Sequence, residues 1–141
     1  MSISIINKVG EALANYLLDY GIVGEDGVGD IFTNGNTPAS DDLPESYIEI
    51  DPNGAVTSES SHDGLLEFNL LLSLYVKLLG SGSTNTIRET FLLELLETVF
   101  NETLTIEKFH YSLNKRMMVY SGKSLVDGYS TKIININIKI Y

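Results

Sequence analysis

The sequence predicts an α+β domain with a mixed, mainly antiparallel sheet of four to five strands, two helices packed on one face and a long acidic loop. Two amphipathic segments, with apolar residues at every third or fourth position, predict the helices. Two long segments with a two-residue period predict the central strands. Because the later strands follow one another through short turns, we expect antiparallel pairing. The chain has 141 residues, the usual size of one domain, so we expect a single domain over residues 1–141.

The first helix is predicted from about residue 4 to residue 20, with Ser4 near its start. Gly21 is a natural C-terminal stop for it. Residues 21–46 then carry five glycines and two prolines without a sustained period, which predicts a long acidic loop or arm. Because unstructured loops of this length are uncommon in compact domains, we expect a functional role or ordering by a partner.

A short strand and a long strand are predicted in the middle of the chain. The short alternation Tyr47–Ile50 precedes Asp51-Pro52-Asn53-Gly54, a turn sequence in which proline fixes φ and glycine tolerates positive φ. From Leu65 to Leu79, apolar side chains occupy every second position and form one continuous face. That face is expected to join the core, and the other to meet solvent or an interface.

A second helix is predicted from Thr86 to about Phe100. Thr86 and Glu89 have the spacing of a capping box, in which the two side chains satisfy backbone amides at a helix start. The apolar residues expected on its core side are Ile87, Phe91, Leu92, Leu95, Leu96 and Val99.

Three further strands are predicted over residues 104–113, 116–121 and 132–141. In the last of them, isoleucine alternates with Asn135, Asn137 and Lys139. A free edge of this composition would be prone to aggregate. We therefore expect this strand to be paired on both sides or covered by a partner.

The charge is strongly asymmetric along the sequence. The net charge is −10, and residues 1–63 hold one lysine against 12 acids, a net charge of −11. This balance argues against direct DNA or RNA binding, which needs clustered lysine and arginine. A solvated acidic loop that aids solubility is the simplest alternative. The chain shows no signal-peptide pattern and no apolar run near membrane-spanning length, so we expect a soluble protein that is cytoplasmic where it is made.

No motif predicts catalysis or cofactor binding. The absence of cysteine excludes disulfides, thiolate metal sites and cysteine nucleophiles. Gly122-Lys123-Ser124 resembles the end of a phosphate-binding loop, but Met117 stands where that loop needs its first glycine. His62 lies in a serine-rich link without zinc-site spacing, and His110 is expected to be an outward or satisfied residue on a strand. We therefore expect no enzyme, no cofactor and no metal.

The order of elements, the chain length, the acidic loop after the first helix and the polar loop between the long strand and the second helix resemble the tail terminator and minor tail, or minor capsid, proteins of long-tailed bacteriophages. The resemblance implies an α+β structural protein of the virion that forms a ring, commonly a hexamer, on the end of the tail tube. Such a ring halts tube growth and joins the tail to the head connector. The implied partners are other copies of the chain, the tail tube protein and the head connector protein, with assembly in the host cytoplasm. DNA would pass through the ring without sequence-specific binding.

The alternatives for the function are another head–tail connector or tail-completion protein, or a non-viral module that binds a protein or a ligand.

Two sets of candidate residues follow from the residue pattern, one for a channel or partner-facing loop and one for a subunit interface. The alternative for the tyrosines in the interface set is that they are half-buried surface residues. The candidate channel or partner-facing loop residues are Glu25, Asp26, Asp30, Asp41 and Asp42. The candidate subunit-interface residues are Tyr75, Tyr111, Tyr120, Tyr129, Asn135, Asn137, Lys139 and Tyr141.

Overall fold

A computed structural model describes residues 3–33, 38, 42–51, 57–59, 66–100, 104–113, 119–122 and 128–140. These residues form an α+β fold in which two helices accompany one mixed sheet of eight strands. The helices are α1 (Ile3–Tyr20) and α2 (Thr86–Val99), and the strands are β1 (Asp30–Thr33), β2 (Ser46–Asp51), β3 (Thr57–Glu59), β4 (Leu66–Lys77), β5 (Leu104–Ile106), β6 (Phe109–Leu113), β7 (Val119–Gly122) and β8 (Tyr129–Ile140).

The two longest strands, β4 and β8, form the centre of the sheet. They pair antiparallel along their whole length, from Leu66 opposite Ile140 to Lys77 opposite Tyr129. The outer edge of β4 is shared by β2 and β3, and the outer edge of β8 is shared by β7 and β6. Strand β1 extends β2 in parallel, and β5 extends β6, so the main order is β1-β2-β4-β8-β6-β5.

One face of the sheet forms the main hydrophobic core. The period of two places the even-numbered side chains of both central strands on this face. The register then aligns them across the sheet, since Leu72 pairs with Ile50 on one side and with Ile134 on the other. Burial of each such side chain contributes about 1.5 to 3 kcal/mol. The buried members of this row on the central strands are Leu70, Leu72, Leu74, Val76, Ile134, Ile136, Ile138 and Ile140.

Both helices pack residues into this same core. Helix α1 contributes Val9, Leu13 and Leu17, which follow the helical spacing of three and four. The hydroxyl of the fully buried Tyr111 on β6 donates a hydrogen bond of 2.8 Å to the carbonyl of Val9, which fixes the helix against the sheet. Helix α2 presents Glu89, Leu92, Leu96 and Val99 as its buried residues.

The sheet holds more strands than the four to five predicted. Strands β1, β3 and β5 have only three or four residues each, too few to show a two-residue period in the sequence. Strand β1 also lies within residues 21–46, so the prediction of a loop without regular structure is wrong there. Residues 104–113 form the hairpin of β5 and β6 rather than one strand, because Glu107 adopts a left-handed φ of 54° that turns the chain.

The expectation that the last strand is paired on both sides is confirmed for the described residues. Strand β8 has β4 along one edge and β6 and β7 along the other. Among the described strands, the outermost positions of the main strand order belong instead to β1 and β5, which have four and three residues. Short edges of this kind limit edge-to-edge association.

The predicted orientation of α2 is wrong in part. Ile87 is 87% exposed and Phe91 is 44% exposed, although both were expected on the core side. Apolar residues occur around most of this helix, so the sequence period does not decide which side meets the sheet. The cap also differs, because the side chain of Asn85 accepts a hydrogen bond of 3.2 Å from the backbone amide of Arg88. This N-cap lies one residue before the predicted capping box.

Candidate functional site

Four of the five predicted loop acids lie within the described residues, and a tight turn after α1 fixes two of them. The amide of Val28 donates to the carbonyl of Ile22 at 2.9 Å, and both of these side chains are buried in the core. A Cβ at Gly27 would lie 1.8 Å from the carbonyl oxygen of Ile22, so only glycine fits there. The turn therefore holds Glu25 and Asp26 at defined positions, with both side chains in solvent.

The start of β1 brings a further carboxylate to the same end of the sheet. The amide of Gly29 donates a hydrogen bond of 2.7 Å to the carbonyl of Ser46, and Asp30 lies opposite Tyr47 in the parallel pairing. The side chain of Asp30 accepts a hydrogen bond of 2.8 Å from the amide of Ile31. Asp42 and Glu45 lie in the segment that leads into β2 and are exposed. We call Glu25, Asp26, Asp30, Asp42 and Glu45 the acidic end; Asp41 lies outside the described residues.

Arg88 at the start of α2 connects the acidic end to the helix. Its guanidinium donates hydrogen bonds to the carbonyl of Gly27 and, at 3.5 Å, to the carbonyl of Glu25. The guanidinium carbon also lies 5.6 Å from the centre of the Phe91 ring, within the range of a cation–π contact. One side chain thus binds the acidic turn and covers part of an exposed aromatic ring.

A cleft of about 530 Å³ opens beside Arg88. Its walls come from the turn that carries Glu25, from the starts of β2 and α2, and from the end of β4 with the loop after it. Carboxylates and cations both line it, so its charge is mixed. The lining residues are Glu25, Glu45, Ser46, Val76, Lys77, Leu78, Leu79, Gly80, Asn85 and Arg88.

Three tyrosines form a second buried cluster on the sheet face opposite the main core. The rings of Tyr47 and Tyr75 stack with centroids 4.6 Å apart, and Tyr129 meets Tyr47 edge-on at 5.6 Å. The hydroxyl of Tyr129 donates a hydrogen bond of 2.7 Å to the carbonyl of Pro44, which ties the cluster to the segment beside the acidic end. The hydroxyl of Tyr47 is fully buried and has no hydrogen-bond partner within the part of the chain that the structure describes.

The hydroxyls of Tyr47 and Tyr129 have a raised pKa and ionise less readily than those of free tyrosines. Burial raises the pKa of Tyr47 well above its ordinary value, and Tyr75, Glu49 and Tyr129 add to the increase. Burial also raises the pKa of Tyr129, with a further contribution from Glu45. In the main core, burial and then Glu107 raise the pKa of Tyr111. All three side chains are therefore neutral at physiological pH.

The candidate interface residues divide into three groups. Tyr75, Tyr111 and Tyr129 are at most 9% exposed, so the structure places them inside the subunit and not on its surface. Tyr111 lies in the main core, and Tyr75 and Tyr129 pack with Tyr47, Phe32 and Leu43, so none of the three offers an exposed ring to a partner. Asn135, Asn137 and Lys139 of β8 are partly exposed on the face opposite the core. The side chains of Tyr120 and Tyr141 lie outside the described residues.

A buried polar pair joins α2 to β8 and was not predicted. Glu89 is 6% exposed, and its Oε2 accepts a hydrogen bond of 2.9 Å from the hydroxyl of Ser130. The ammonium group of Lys132 lies 3.7 Å from Oε1 of the same carboxylate. Because an unpaired buried carboxylate is costly, this contact favours the observed orientation of α2.

Among the described residues, His110 takes no part in a polar cluster of metal-site type. His110 on β6 has its Nδ1 3.1 Å from the hydroxyl of Thr105, and His62 lies outside the described residues. Within the described ranges, no three His, Asp or Glu side chains converge as metal ligands would. None of the described helices is both long and apolar enough to cross a membrane.

No protein-family model matches the chain, and no curated protein matches it either. Three surfaces of the molecule itself therefore indicate its function. These are the acidic end, the cleft beside Arg88, and the exposed apolar residues of α2.

Proposed function

We propose that the protein is a structural virion protein of the tail terminator type, which forms a ring at the end of the tail tube and joins it to the head connector. The single observation that carries this proposal is the acidic end, where five exposed carboxylates belong to one edge region of the sheet. Adhesion to DNA comes mainly from cations that neutralise phosphates. A ring lined by carboxylates would let DNA pass without retaining it.

The way in which these carboxylates are held supports the channel role. The turn and β1 are fixed by backbone hydrogen bonds to α1 and β2, and Arg88 holds the turn from the other side. A passive solubility loop needs no such fixed geometry, whereas a channel lining has to hold its charges at fixed positions along the DNA path. We also propose that the protein has no catalytic role.

Electron microscopy of the purified protein tests the ring directly. Rings with a central hole are the expected result, and their rotational symmetry gives the number of subunits. A particle whose mass in sedimentation is that of a single chain at all concentrations, with no rings on grids, would reject the proposal.

The channel role is tested by charge reversal at the acidic end. Glu25→Lys with Asp26→Lys should leave folding intact, because exposed charges contribute little to stability. The double variant should acquire salt-sensitive DNA binding and slow DNA release from virions. Glu11→Lys with Asp19→Lys on the exposed side of α1 is the matched control, with the same change in charge and normal release. Normal release by virions shown to contain the Glu25/Asp26 variant would reject the channel role and leave the ring standing.

The cleft of about 530 Å³ favours a second candidate function, a module that binds a protein or a ligand. Pockets of this size are typical of ligand sites, although most of those are more apolar. Another head–tail connector or tail-completion protein would share the ring assembly but dock on different neighbours. The mass in solution separates the binding module from both virion roles.

A further inference from the structure

Helix α2 carries an exposed apolar surface at its start. Ile87 and Phe91 are separated by one helical turn and therefore lie on the same side, with exposures of 87% and 44%. Leu79, which is 48% exposed, lines the cleft together with Arg88, and Arg88 stacks on Phe91. We call Leu79, Ile87 and Phe91 the α2 patch. Exposed apolar patches of this kind commonly mark interaction sites.

Acidic groups surround the α2 patch on two sides. Along the helix, Glu94 and Glu97 are exposed beyond Phe91. On the other side of Arg88, the turn after α1 carries Glu25 and Asp26, which are both exposed. Arg88 donates to two backbone carbonyls and contacts the Phe91 ring, which holds its guanidinium group in place beside the patch. The surface therefore combines an apolar centre with four exposed carboxylates on two sides, while Lys77 and Arg88 line the cleft beside Leu79.

We propose that the α2 patch docks a basic amphipathic helix of a different protein. Such a helix would place an apolar side chain on Ile87 and Phe91 and direct lysine or arginine side chains, three or four residues away, to the surrounding carboxylates. Complementary charge also raises the association rate. The apolar centre supplies affinity, and the negative border selects a cationic partner.

A second copy of the chain fits the α2 patch poorly. The chain has a net charge of −10, and two acidic borders would repel each other. Among the described residues, the exposed lysines Lys8, Lys77 and Lys108 lie on α1, on β4 and in the turn between β5 and β6, so they are dispersed along the chain. The three exposed apolar side chains amount to roughly 300 Å², well below the about 800 Å² per partner of a stable interface. These numbers favour a short partner segment.

Fluorescence anisotropy with a labelled synthetic helical peptide of lysine and leucine tests the proposal. The wild-type protein should bind this peptide and should not bind a matched peptide in which glutamate replaces every lysine. Ile87→Ser with Phe91→Ser should weaken binding at least tenfold and leave the thermal midpoint unchanged, because both side chains are exposed. Leu18→Ser is the matched control, since Leu18 is 45% exposed on α1 and should have no effect.

The charge contribution is tested separately with Glu94→Lys and Glu97→Lys, which should weaken binding and reduce its dependence on salt, since Glu25 and Asp26 remain. Equal peptide affinity of the wild-type and Ile87→Ser/Phe91→Ser proteins would overturn the proposal. Loss of self-association in that double variant would also overturn it, by assigning the α2 patch to a second copy. Rings that form normally in the double variant are the expected result, so this inference and the ring proposal fail independently.

Discussion

Removal of one oxygen atom from Tyr47 should not lower the stability of the protein. The Tyr47 hydroxyl is fully buried and has no partner within the described part of the chain. A buried hydroxyl without a hydrogen bond costs about 1 to 3 kcal/mol relative to one that is satisfied. Tyr47→Phe keeps the ring, and with it the stacking on Tyr75 at 4.6 Å. We expect the free energy of unfolding to stay constant or to rise by about 1 kcal/mol.

Tyr111→Phe is the matched control, because the same atom is removed from an equally buried ring. The hydroxyl of Tyr111 donates a hydrogen bond of 2.8 Å to the carbonyl of Val9. Loss of such a bond lowers stability by about 1 kcal/mol and leaves a buried acceptor short of a donor. The two variants should therefore differ by about 1 to 2 kcal/mol, which for a chain of this size corresponds to roughly 3 to 6 °C in thermal midpoint.

Urea unfolding at neutral pH measures both variants, and equal m-values show that the comparison concerns stability alone. A second experiment measures the free energy of unfolding as the pH is raised into the alkaline range. The pKa of Tyr47 is raised in the folded state, so above the ordinary tyrosine pKa of about 10 the unfolded chain loses this proton first. The contribution of the neutral Tyr47 hydroxyl to stability is therefore fully present below that pH and decreases as the pH rises above it. The slope contributed by one tyrosine is at most about 1.4 kcal/mol per pH unit, and Tyr47→Phe should remove it.

An equal loss of unfolding free energy in Tyr47→Phe and Tyr111→Phe would contradict this prediction. That result would mean that the Tyr47 hydroxyl has a hydrogen-bond partner in solution. An alkaline slope that is the same in wild-type and Tyr47→Phe proteins would likewise refute the assignment of the raised pKa to the folded state.

Three further perturbations test other parts of the structure. Deletion of residues 136–141 should unfold or precipitate the protein, since it removes buried isoleucines of β8 worth about 1.5 to 3 kcal/mol each; a soluble product with an unchanged midpoint would contradict this. Glu89→Ala should destabilise by about 1 to 3 kcal/mol in urea, because Lys132 and Ser130 lose their partner, and the effect should shrink in a Lys132→Ala background. His110→Ala should leave ring formation on grids unchanged, because no metal or proton-transfer role is assigned to it, and loss of the rings would refute that assignment.

Long periodic segments allowed α1, β4 and β8 to be predicted close to their observed bounds. The longer the segment, the more repeats of the apolar pattern it contains, and the fewer alternatives remain. Short strands such as β1 and β3 form because longer neighbours offer them hydrogen-bond partners. Their sequences alone carry no such information, which is why the count of strands was too low.

The orientation of α2 could not be predicted from its apolar pattern because nearly every side of the helix carries an apolar residue. The deciding contact is polar and connects distant residues, since Glu89 on α2 meets Ser130 and Lys132 on β8. A charged residue inside a predicted helix is normally assigned to the solvent side. The exposed Ile87 and Phe91 follow from the same rotation of the helix.

Of the residues in the candidate site, the sequence indicated the acidic ones but not Arg88. Clustered acids among glycines indicated Glu25, Asp26, Asp30 and Asp42, but not that backbone hydrogen bonds would fix several of them at one end of a sheet. The contribution of Arg88 was missed, because it lies 61 residues from the carbonyl of Gly27 that it binds. Interactions over such separations depend on the completed topology.

The pairing of β4 with β8 has a consequence for how the chain reaches its native state. The paired residues are separated by 52 positions at one end of the ladder and by 74 at the other, as Lys77 opposite Tyr129 and Leu66 opposite Ile140 define. Closing so long a segment costs entropy before any contact compensates for it, so folding of this sheet should be slow, in the range of milliseconds to seconds. Until β8 arrives, the leucines of β4 remain open to other molecules. Refolding yield should therefore decrease steeply as protein concentration rises, even though neighbouring strands pair with most of the outer edges of β4 and β8 in the finished sheet.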